Sequence, residues 1–255
     1  MTRQGRPSSE MVQQYRVDLR GESITLEIPV GVHPPSSSSI DLARLFDIQP
    51  GENALDLGCG SGLLAIAAVK RGAGHVIATE ADPYALGAAL RNAVTNDVRG
   101  DIEGRVGSWY EALREYSPNA SRPFQVILAT PPQTPAPRPC GPRYGGWDGT
   151  DHLRQVIEGA PARLSHPEGR LWLLVISLAH PARLMKNLSE LFSDIVLVKE
   201  TQRFFSAAEY DALTPGLFHH LLDLRAAGQA EFRETDDGRY VFRNLFIRAA
   251  GCRGS

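Results

Sequence analysis

The sequence has few cysteines and no long apolar run, so disulfide frameworks, cysteine-based zinc sites and membrane spans are not expected. Its three cysteines, Cys59, Cys140 and Cys252, are widely spaced and form no C-x-x-C pair, so neither a disulfide scaffold nor a metal site is expected. The longest apolar run, Leu171–Ala179, is too short to cross a bilayer. The N-terminal residues are polar and lack the apolar core of a signal peptide. A cytoplasmic protein with no membrane partner is expected.

An excess of positive charge is also missing. Lys and Arg together number 27, Asp and Glu number 29, and the formal net charge is −2. Proteins that hold nucleic acid through its phosphates normally have a basic surplus, so this function is disfavoured. Apolar residues make up 42% of the chain and charged residues 22%, which is typical of a globular protein and excludes a disordered one. The 255 residues suit one domain with an added piece, or two small domains.

The sequence does contain a regular alternation of short apolar runs and helical patterns. Residues 15–30 alternate apolar and polar side chains around Gly21, which predicts a β-hairpin. Later runs predict strands over Asn53–Leu57, Val76–Thr79, a segment from Arg105, Phe124–Ala129, Gly169–Leu178, Asp194–Lys199 and Tyr240–Arg248. The segments between them have helical spacing, including a long pattern over Ala207–Ala227. This order predicts an α/β, doubly wound parallel sheet with helices on both faces.

The sharpest motif is the glycine-rich loop Gly58–Gly62, which stands between a predicted strand and a predicted helix. Glycines let a backbone approach a ligand closely and adopt positive φ angles. Ligands of doubly wound sheets bind at the carboxyl ends of the strands. Asp56 precedes the loop and Glu80 ends the next strand, where a carboxylate can accept hydrogen bonds from both hydroxyls of a ribose. The pattern predicts a nucleoside-cofactor site, although a tight turn and a helix-capping acid would also fit it.

Two common phosphate-binding loops do not match this motif. A Walker loop requires Gly-Lys-Ser/Thr, and the dinucleotide loop requires a third glycine where Leu63 stands. The strings ALDLGCGSGLLAIAA and ATEADPYAL instead closely resemble the class I methyltransferases that use S-adenosylmethionine (SAM), over about residues 40–200. The resemblance implies a Rossmann-like, seven-stranded sheet that is mostly parallel, with an antiparallel last strand.

The same resemblance implies a set of cofactor residues. In that family the acid of the first strand and the glycines line the methionine part of SAM, the acid of the second strand holds the ribose, and residues after the third strand flank the adenine. The implied SAM-binding residues of this sequence are Asp56, Gly58, Cys59, Gly60, Gly62, Glu80, Ala81, Ser108, Trp109 and Thr130. A place for Trp109 in the hydrophobic core fits the sequence equally well.

The fourth predicted strand ends in Thr130-Pro131-Pro132-Gln133, where amino-group methyltransferases have Asn/Asp/Ser-Pro-Pro-Tyr/Phe. With the later Gly145-Gly146-Trp147-Asp148-Gly149 and the entry segment from Gly31, it resembles the HemK-like protein-glutamine methyltransferases. In that group the first side chain and the first proline carbonyl accept hydrogen bonds from the target NH₂, and the aromatic residue packs on the target. Thr130, Pro131, Pro132 and Gln133 are therefore the expected catalytic residues.

This motif departs from the family at both ends. Thr130 keeps one oxygen acceptor, whereas Gln133 offers no aromatic ring. The missing ring is expected from Tyr144, Trp147 or Phe204, and His33 is a further candidate for contact with the substrate. The departures favour a small-molecule acceptor methylated on nitrogen or oxygen, with a glutamine or other amide side chain of a protein as the alternative.

Two further alternatives are weaker. Methylation of a nucleic-acid base is disfavoured by the missing aromatic residue and by the net charge of −2. The other alternative is a module that keeps the nucleoside pocket and binds SAM but has lost catalysis.

Three regions are expected along the chain. Residues 1–39 form an N-terminal extension with the hairpin, residues 40–200 the SAM-binding core, and residues 201–255 a C-terminal insertion with the last strand. The insertion is expected to cover the acceptor site as a lid or to form a homodimer contact.

Overall fold

The computed structural model describes residues 12–19, 21–113 and 124–253. The strands are β1 (Val12–Leu19), β2 (Glu22–Pro29), β3 (Asn53–Leu57), β4 (His75–Glu80), β5 (Ile102–Val106), β6 (Val126–Ala129), β7 (Arg170–Ile176), β8 (Phe192–Phe205), β9 (Phe232–Glu234) and β10 (Tyr240–Cys252). The helices are α1 (Ser37–Leu45), α2 (Leu63–Lys70), α3 (Pro83–Thr95), α4 (Asp151–Gly159), α5 (Pro181–Leu191), α6 (Ala207–Asp211) and α7 (Leu217–Ala226). Short 3₁₀ turns cover Arg99–Asp101 and Trp109–Leu113. No helix among these residues is long and apolar enough to cross a membrane.

Within the described residues, the main sheet has eight strands in the order β5-β4-β3-β6-β7-β10-β8, with β9 paired to β10. The pairs among β5, β4, β3, β6 and β7 are parallel, whereas β10 runs antiparallel to both β7 and β8. The predicted mostly parallel α/β sheet with an antiparallel last strand is confirmed. The strand order reverses between β3 and β6, and such a switch point is where open α/β sheets bind ligands.

Side chains alternate between the two faces of the sheet and divide the core in two. On β3, Ala54 faces one cluster with the hairpin and α1–α3, whereas Leu55 and Leu57 face the other cluster with α4, α5 and the C-terminal helices. Every residue of β7 is buried, because both of its faces are covered. This explains why the β7 segment is a continuous apolar run and shows no alternation.

Asn92 of α3 and Asn96, the residue that follows this helix, attach the hairpin to this core. The Asn92 side chain accepts from the Glu27 amide at 2.8 Å and donates to the Glu27 carbonyl at 3.2 Å. One turn later, Asn96 makes the same pair of bonds with Thr25, at 3.0 and 2.7 Å. Asn92 also donates to the Ser61 carbonyl of the glycine loop at 3.0 Å. The outer edge of β2 is therefore paired by side-chain amides, as a neighbouring strand would pair it.

The C-terminal part differs from the sequence-based prediction. β8 was predicted to end at Lys199, but it continues to Phe205 and pairs with β10 along this length, so the strand crosses the expected boundary at residue 200. The predicted helix over Ala207–Ala227 is two helices, because Pro215 and Gly216, with a φ of 81°, interrupt it. β9 was not predicted.

The C-terminal end of β8 and the N-terminal end of β10 extend beyond β7 at the carboxyl edge of the sheet. Asn244 of β10 pairs with Ile176, the last residue of β7, and among the described strands the β10 residues before Asn244 pair only with β8 and β9. β9 adds a third strand to this extension. An aromatic cluster attaches α6 and α7 to it, with rings 4.6 to 6.4 Å apart. Its members are Phe205, Tyr210, Phe218, Phe232, Tyr240 and Phe242.

Candidate functional site

The loops that follow β3 and β6 lie side by side at the switch point. Leu57 pairs with Ala129 in the parallel ladder, so Gly58 and Thr130 leave the sheet as neighbours. The amides of Gly58 and Cys59 both donate to the Thr79 carbonyl of β4 at 2.9 Å. The sheet itself therefore brings the glycine loop and the Thr130-Pro131-Pro132-Gln133 segment together.

Three glycines of the loop have a conformation that other residues rarely adopt. Gly58, Gly60 and Gly62 have φ angles of 72°, 53° and 87°. A Cβ atom on Gly60 would face open space, whereas one on Gly62 would lie 3.1 Å from Ala89 of α3. Gly62 is thus needed for helix packing, and Gly58 and Gly60 leave backbone exposed to a ligand. Cys59 is buried and fills the loop from beneath.

The Glu80 carboxylate is fixed against this loop. One oxygen accepts from the Gly60 amide at 3.0 Å, and the other accepts from the Asp82 amide at 3.1 Å. Each carboxylate oxygen has a second lone-pair direction, so the group can still accept hydrogen bonds from two hydroxyls. Ala81, the next residue, is exposed beside it.

Asp56 is fully buried beneath the loop, where its carboxylate accepts from the Ala65 amide of α2 at 3.0 Å. Burial raises the pKa of this carboxyl to about 7, and the negative charge of Glu80 acts in the same direction. Asp56 therefore holds the first turn of α2, and its carboxyl gains or loses a proton near neutral pH.

Replacing Asp56 with asparagine is expected to flatten the dependence of stability on pH. The folded chain keeps this proton up to about pH 7, whereas an unperturbed carboxyl releases it near pH 3.8. The group therefore stabilises the fold at low pH, and this contribution, on the order of a few kcal/mol, is lost as pH rises between those values. Urea unfolding of both proteins across this range measures it, with exposed Asp236→Asn as the charge control. Parallel curves for Asp56→Asn and the unsubstituted chain would contradict the assignment.

Trp109 lies over the glycine loop in a strained conformation, with a φ of 48°. Its ring is 3.3 Å from the position that a Cβ on Gly58 would take, so any larger residue there would push the ring away. Ser108 is exposed beside it, and both residues line a cavity of about 220 Å³ together with Tyr110, Glu111, Gln155 and Arg163. Trp109 is thus a neighbour of the loop, and its contact with the adenine stays a prediction.

His152 of α4 was not singled out in the sequence, yet its ring lies 5.3 Å from that of Trp109. Its Nδ1 atom is buried and has no hydrogen-bond partner in the described part of the chain. Burial lowers the pKa of this imidazole, which favours its neutral form. No pattern in the sequence distinguishes this histidine from any other on a helix.

Gln133 differs from its expected role as a group that faces the acceptor. Its amide nitrogen donates to the carbonyls of Pro131 at 3.2 Å and Leu174 at 3.1 Å, and its oxygen accepts from the Ile176 amide at 2.6 Å. The side chain is only 6% exposed. Gln133 therefore joins the exit of β6 to β7, and Thr130 and Pro132 are the members of the motif that stay partly exposed.

Residues 145–149, here called the tryptophan loop, lie directly on this segment. A Cβ on Gly145 would come within 2.4 Å of the Gln133 Cα atom, and one on Gly149 within 2.6 Å of the Gln133 carbonyl. Only glycine fits this approach. Asp148 closes the loop through the Thr150 amide at 3.1 Å and Arg183 at 2.9 Å, and these partners lower its pKa.

The four predicted substrate residues lie in different parts of the structure. His33 is exposed between β2 and α1, and Phe204 is exposed on the β8 extension with Arg239 over its ring at 4.9 Å. Tyr144 is partly buried next to Thr134, and Trp147 is 60% exposed on the tryptophan loop. Tyr144 and Trp147 therefore lie at the β6 exit, and their contact with an acceptor stays a prediction.

The donors and acceptors at the switch point fit SAM. Open backbone at Gly60 suits its methionine part, the Glu80 carboxylate suits a ribose, and Trp109 with Ser108 offers a flat surface and a hydroxyl for a base. Among the described residues, no group of three or more His, Cys, Asp or Glu side chains could hold a metal ion.

Comparison with known proteins also indicates a methyltransferase, from the part of the chain that contains the glycine loop. The sequence profile of the family described as ribosomal protein L11 methyltransferase (PrmA) matches residues 30–129, which include the hairpin exit, the glycine loop and β6. The match covers less than half of the chain.

Curated relatives match over a similar part. A release factor glutamine methyltransferase of Cereibacter sphaeroides is 35% identical over 138 residues, which cover 49% of this chain and 47% of that protein. A ribosomal protein L11 methyltransferase of Aliivibrio fischeri is 42% identical over 78 residues, 31% of this chain and 26% of that protein. The chain thus spans about half, or about a quarter, of the length of these relatives.

Solved structures share the fold. The T. thermophilus 16S rRNA N2 G1207 methyltransferase, in complex with AdoMet and guanosine, has a TM-score of 0.58 at 21% identity and covers 76% of this chain and 49% of its own. A precorrin 8w decarboxylase of Methanobacterium thermoautotrophicum has a TM-score of 0.52 at 17% identity, covering 86% of this chain and 93% of its own.

This chain has the fold and the glycine-loop sequence of the class I SAM-dependent methyltransferases. Within that class, its residues 30–129 are similar to the ribosomal protein L11 methyltransferase family, and the longer match is to a release factor glutamine methyltransferase.

Proposed function

We propose that this chain transfers the methyl group of SAM to a side-chain nitrogen of a protein. The observation on which the proposal depends is the pairing of Leu57 with Ala129, which sets the glycine loop beside the Thr130-Pro131 exit of β6. The relatives named for ribosomal protein L11 and for a release factor glutamine support a protein acceptor. They favour this alternative over the small-molecule acceptor that the departures at positions 130 and 133 suggested.

The cofactor side of the reaction is assigned to the glycine loop and its neighbours. SAM, when bound, supplies an electrophilic methyl group. Glu80 would bind the ribose hydroxyls, Gly58 and Gly60 would admit the methionine part, and Trp109 with Ser108 would flank the base. Asp56 keeps the loop and the start of α2 in register through the Ala65 amide.

The acceptor side is assigned to Thr130 and the Pro131 carbonyl. A target NH₂ needs acceptors that aim its nitrogen lone pair at the methyl group, and such orientation can contribute about 7–11 kcal/mol in ideal cases. The Pro131 carbonyl already accepts from Gln133, but a carbonyl has two lone pairs and can accept a second hydrogen bond. Thr130 adds one hydroxyl acceptor beside it.

Methyl transfer to candidate proteins tests the proposed function. The purified chain is incubated with SAM labelled in the methyl group and with ribosomal protein L11 or a release factor from the same organism. Labelling of either protein, located by mass spectrometry, is the expected result. Label found only in small molecules of a cell extract would contradict the protein acceptor and return the small-molecule hypothesis.

Replacing Thr130 with valine is expected to lower kcat about tenfold, because one hydrogen bond to the target nitrogen is lost while the shape of the side chain is kept. The affinity for SAM, measured by calorimetry, should change less than twofold. Thr95→Val on α3, which also removes one hydroxyl, serves as the matched control. Equal kcat values for the Thr130 variant and the control would remove Thr130 from the acceptor site.

A further inference from the structure

Trp147 is unusually exposed for a residue that is held so firmly. Its side chain is 60% exposed, yet its carbonyl is 2.8 Å from the Nε2 atom of His220 on α7. The two rings meet edge to face with centroids 4.4 Å apart. His220 itself is buried. His220 of the C-terminal insertion therefore contacts both the backbone and the ring of Trp147, while most of the indole is exposed to solvent.

The loop beneath Trp147 is held from both sides. Gly145 and Gly149 lie against Gln133, and Gly149 also approaches Ala179 after β7, where a Cβ would come within 2.8 Å. The insertion is also joined to the segment that precedes this loop, because Arg138 donates to the hydroxyl of Thr214 at 2.9 Å. Trp147 is thus held at the carboxyl edge of the sheet, where Thr130 leaves β6.

An exposed aromatic residue on a rigid support is costly to keep in solvent but efficient in binding. Tryptophan is enriched among residues that dominate protein interfaces, because it buries a large area with little conformational freedom to lose. Pre-organisation lowers the entropy lost on binding. An exposed loop with no ligand to bind would not need to be held in one conformation. This loop is held by the buried His220 and by the close approach of Gly145 and Gly149 to Gln133.

We propose that Trp147 contacts the polypeptide acceptor and that His220 is the residue that positions it. The free indole surface would pack on an apolar side chain that flanks the modified residue. This adds an aromatic contact beside the modified residue, from a loop that the C-terminal insertion holds in place. The inference rests on the proposed protein acceptor.

The test uses the full chain and the protein that it labels, ribosomal protein L11 or the release factor. Trp147→Ala is expected to raise KM for that protein at least tenfold, with kcat and the dissociation constant of SAM within twofold of the unsubstituted values. Trp147→Phe should lie between them. Val94→Ala, a residue of α3 that is 59% exposed, is the matched control and should change neither constant.

The positioning role of His220 is tested by rescue. His220→Ala is expected to raise KM for the protein acceptor about as much as Trp147→Ala does, whereas His220→Gln, which can still donate to the Trp147 carbonyl, should restore most of the affinity. Acrylamide should quench the tryptophan fluorescence of His220→Ala more strongly than that of His220→Gln or the unsubstituted chain, because its indole is more mobile and more accessible. If His220→Ala unfolds the chain, His220→Leu, which fills the space but cannot donate to the Trp147 carbonyl, takes its place, and the two Trp147 variants still test the contact with the acceptor.

The outcomes separate the two proposals. Failure of the unsubstituted chain to methylate either protein contradicts the proposed function, and the inference with it. Methylation with an unchanged KM in Trp147→Ala overturns the inference alone. Protection of Trp147 from acrylamide at rising protein concentration, without any acceptor, would show that a second copy of the chain covers it and would also overturn the inference.

Discussion

Replacing Glu80 with alanine is expected to weaken SAM binding by one to two orders of magnitude while leaving the fold intact. A hydrogen bond to a charged group contributes about 1.5–3 kcal/mol, and this carboxylate is placed to accept from ribose hydroxyls. The same substitution also releases the Gly60 amide, which bonds to Glu80 at 3.0 Å. The lost ribose contacts act only on the SAM-bound state, whereas the lost Gly60 contact also loosens the free loop. The fold is expected to remain, because Glu80 is partly exposed.

Calorimetric titration with SAM measures the effect, and thermal unfolding shows that the fold remains. Glu80→Gln keeps one oxygen for the Gly60 amide and should lose less affinity than Glu80→Ala. Glu190→Ala removes an exposed carboxylate of α5, which is not among the residues assigned to the SAM site, and should leave the affinity unchanged. Equal affinities for Glu80→Ala and Glu190→Ala would show that the ribose lies elsewhere.

Replacing Gln133 with alanine is expected to destabilise the chain by about 2–4 kcal/mol, a large fraction of the stability of an ordinary domain. Three buried backbone groups, at Pro131, Leu174 and Ile176, would lose their partner, and water cannot easily replace it. Gln155→Ala is the matched control, because Gln155 is exposed on α4. Urea unfolding measures both.

The variant Gln133→Tyr distinguishes a structural role of Gln133 from a role in binding the acceptor. It restores the aromatic residue of the HemK-like motif but cannot make the three hydrogen bonds. If Gln133 served the acceptor, the tyrosine variant would be stable and active. The structure instead predicts that this variant is destabilised about as much as Gln133→Ala, since a phenol ring cannot replace the three hydrogen bonds that the buried amide makes.

The parts of the fold that depend on local pattern could be predicted. The bounds of β3 agree with the sequence prediction, because this short apolar run is framed by charged Glu52 and by Gly58. The glycine loop could be placed for the same reason. Its physical cause, a backbone with positive φ at the end of a buried strand, is visible in the residue types alone.

The parts that depend on partners distant in sequence could not. Gln133 bonds to β7, which lies about forty residues away, so its polar side chain looked free for chemistry. β8 extends to Phe205 because β10 pairs with it, although its own polar residues give no reason to continue. The contact between His220 and Trp147 likewise joins two segments whose proximity only the folded chain defines.

The amide of Asn92 joins two regions that the sequence suggested were separate. It bonds at once to the hairpin at Glu27 and to the glycine loop at Ser61. Deamidation of Asn92 would replace its donor with a carboxylate facing the carbonyl oxygens of both partners, and repulsion would loosen the two together. The hairpin is therefore expected to open in the same cooperative step as the glycine loop. Deamidation of this one side chain would destabilise both segments.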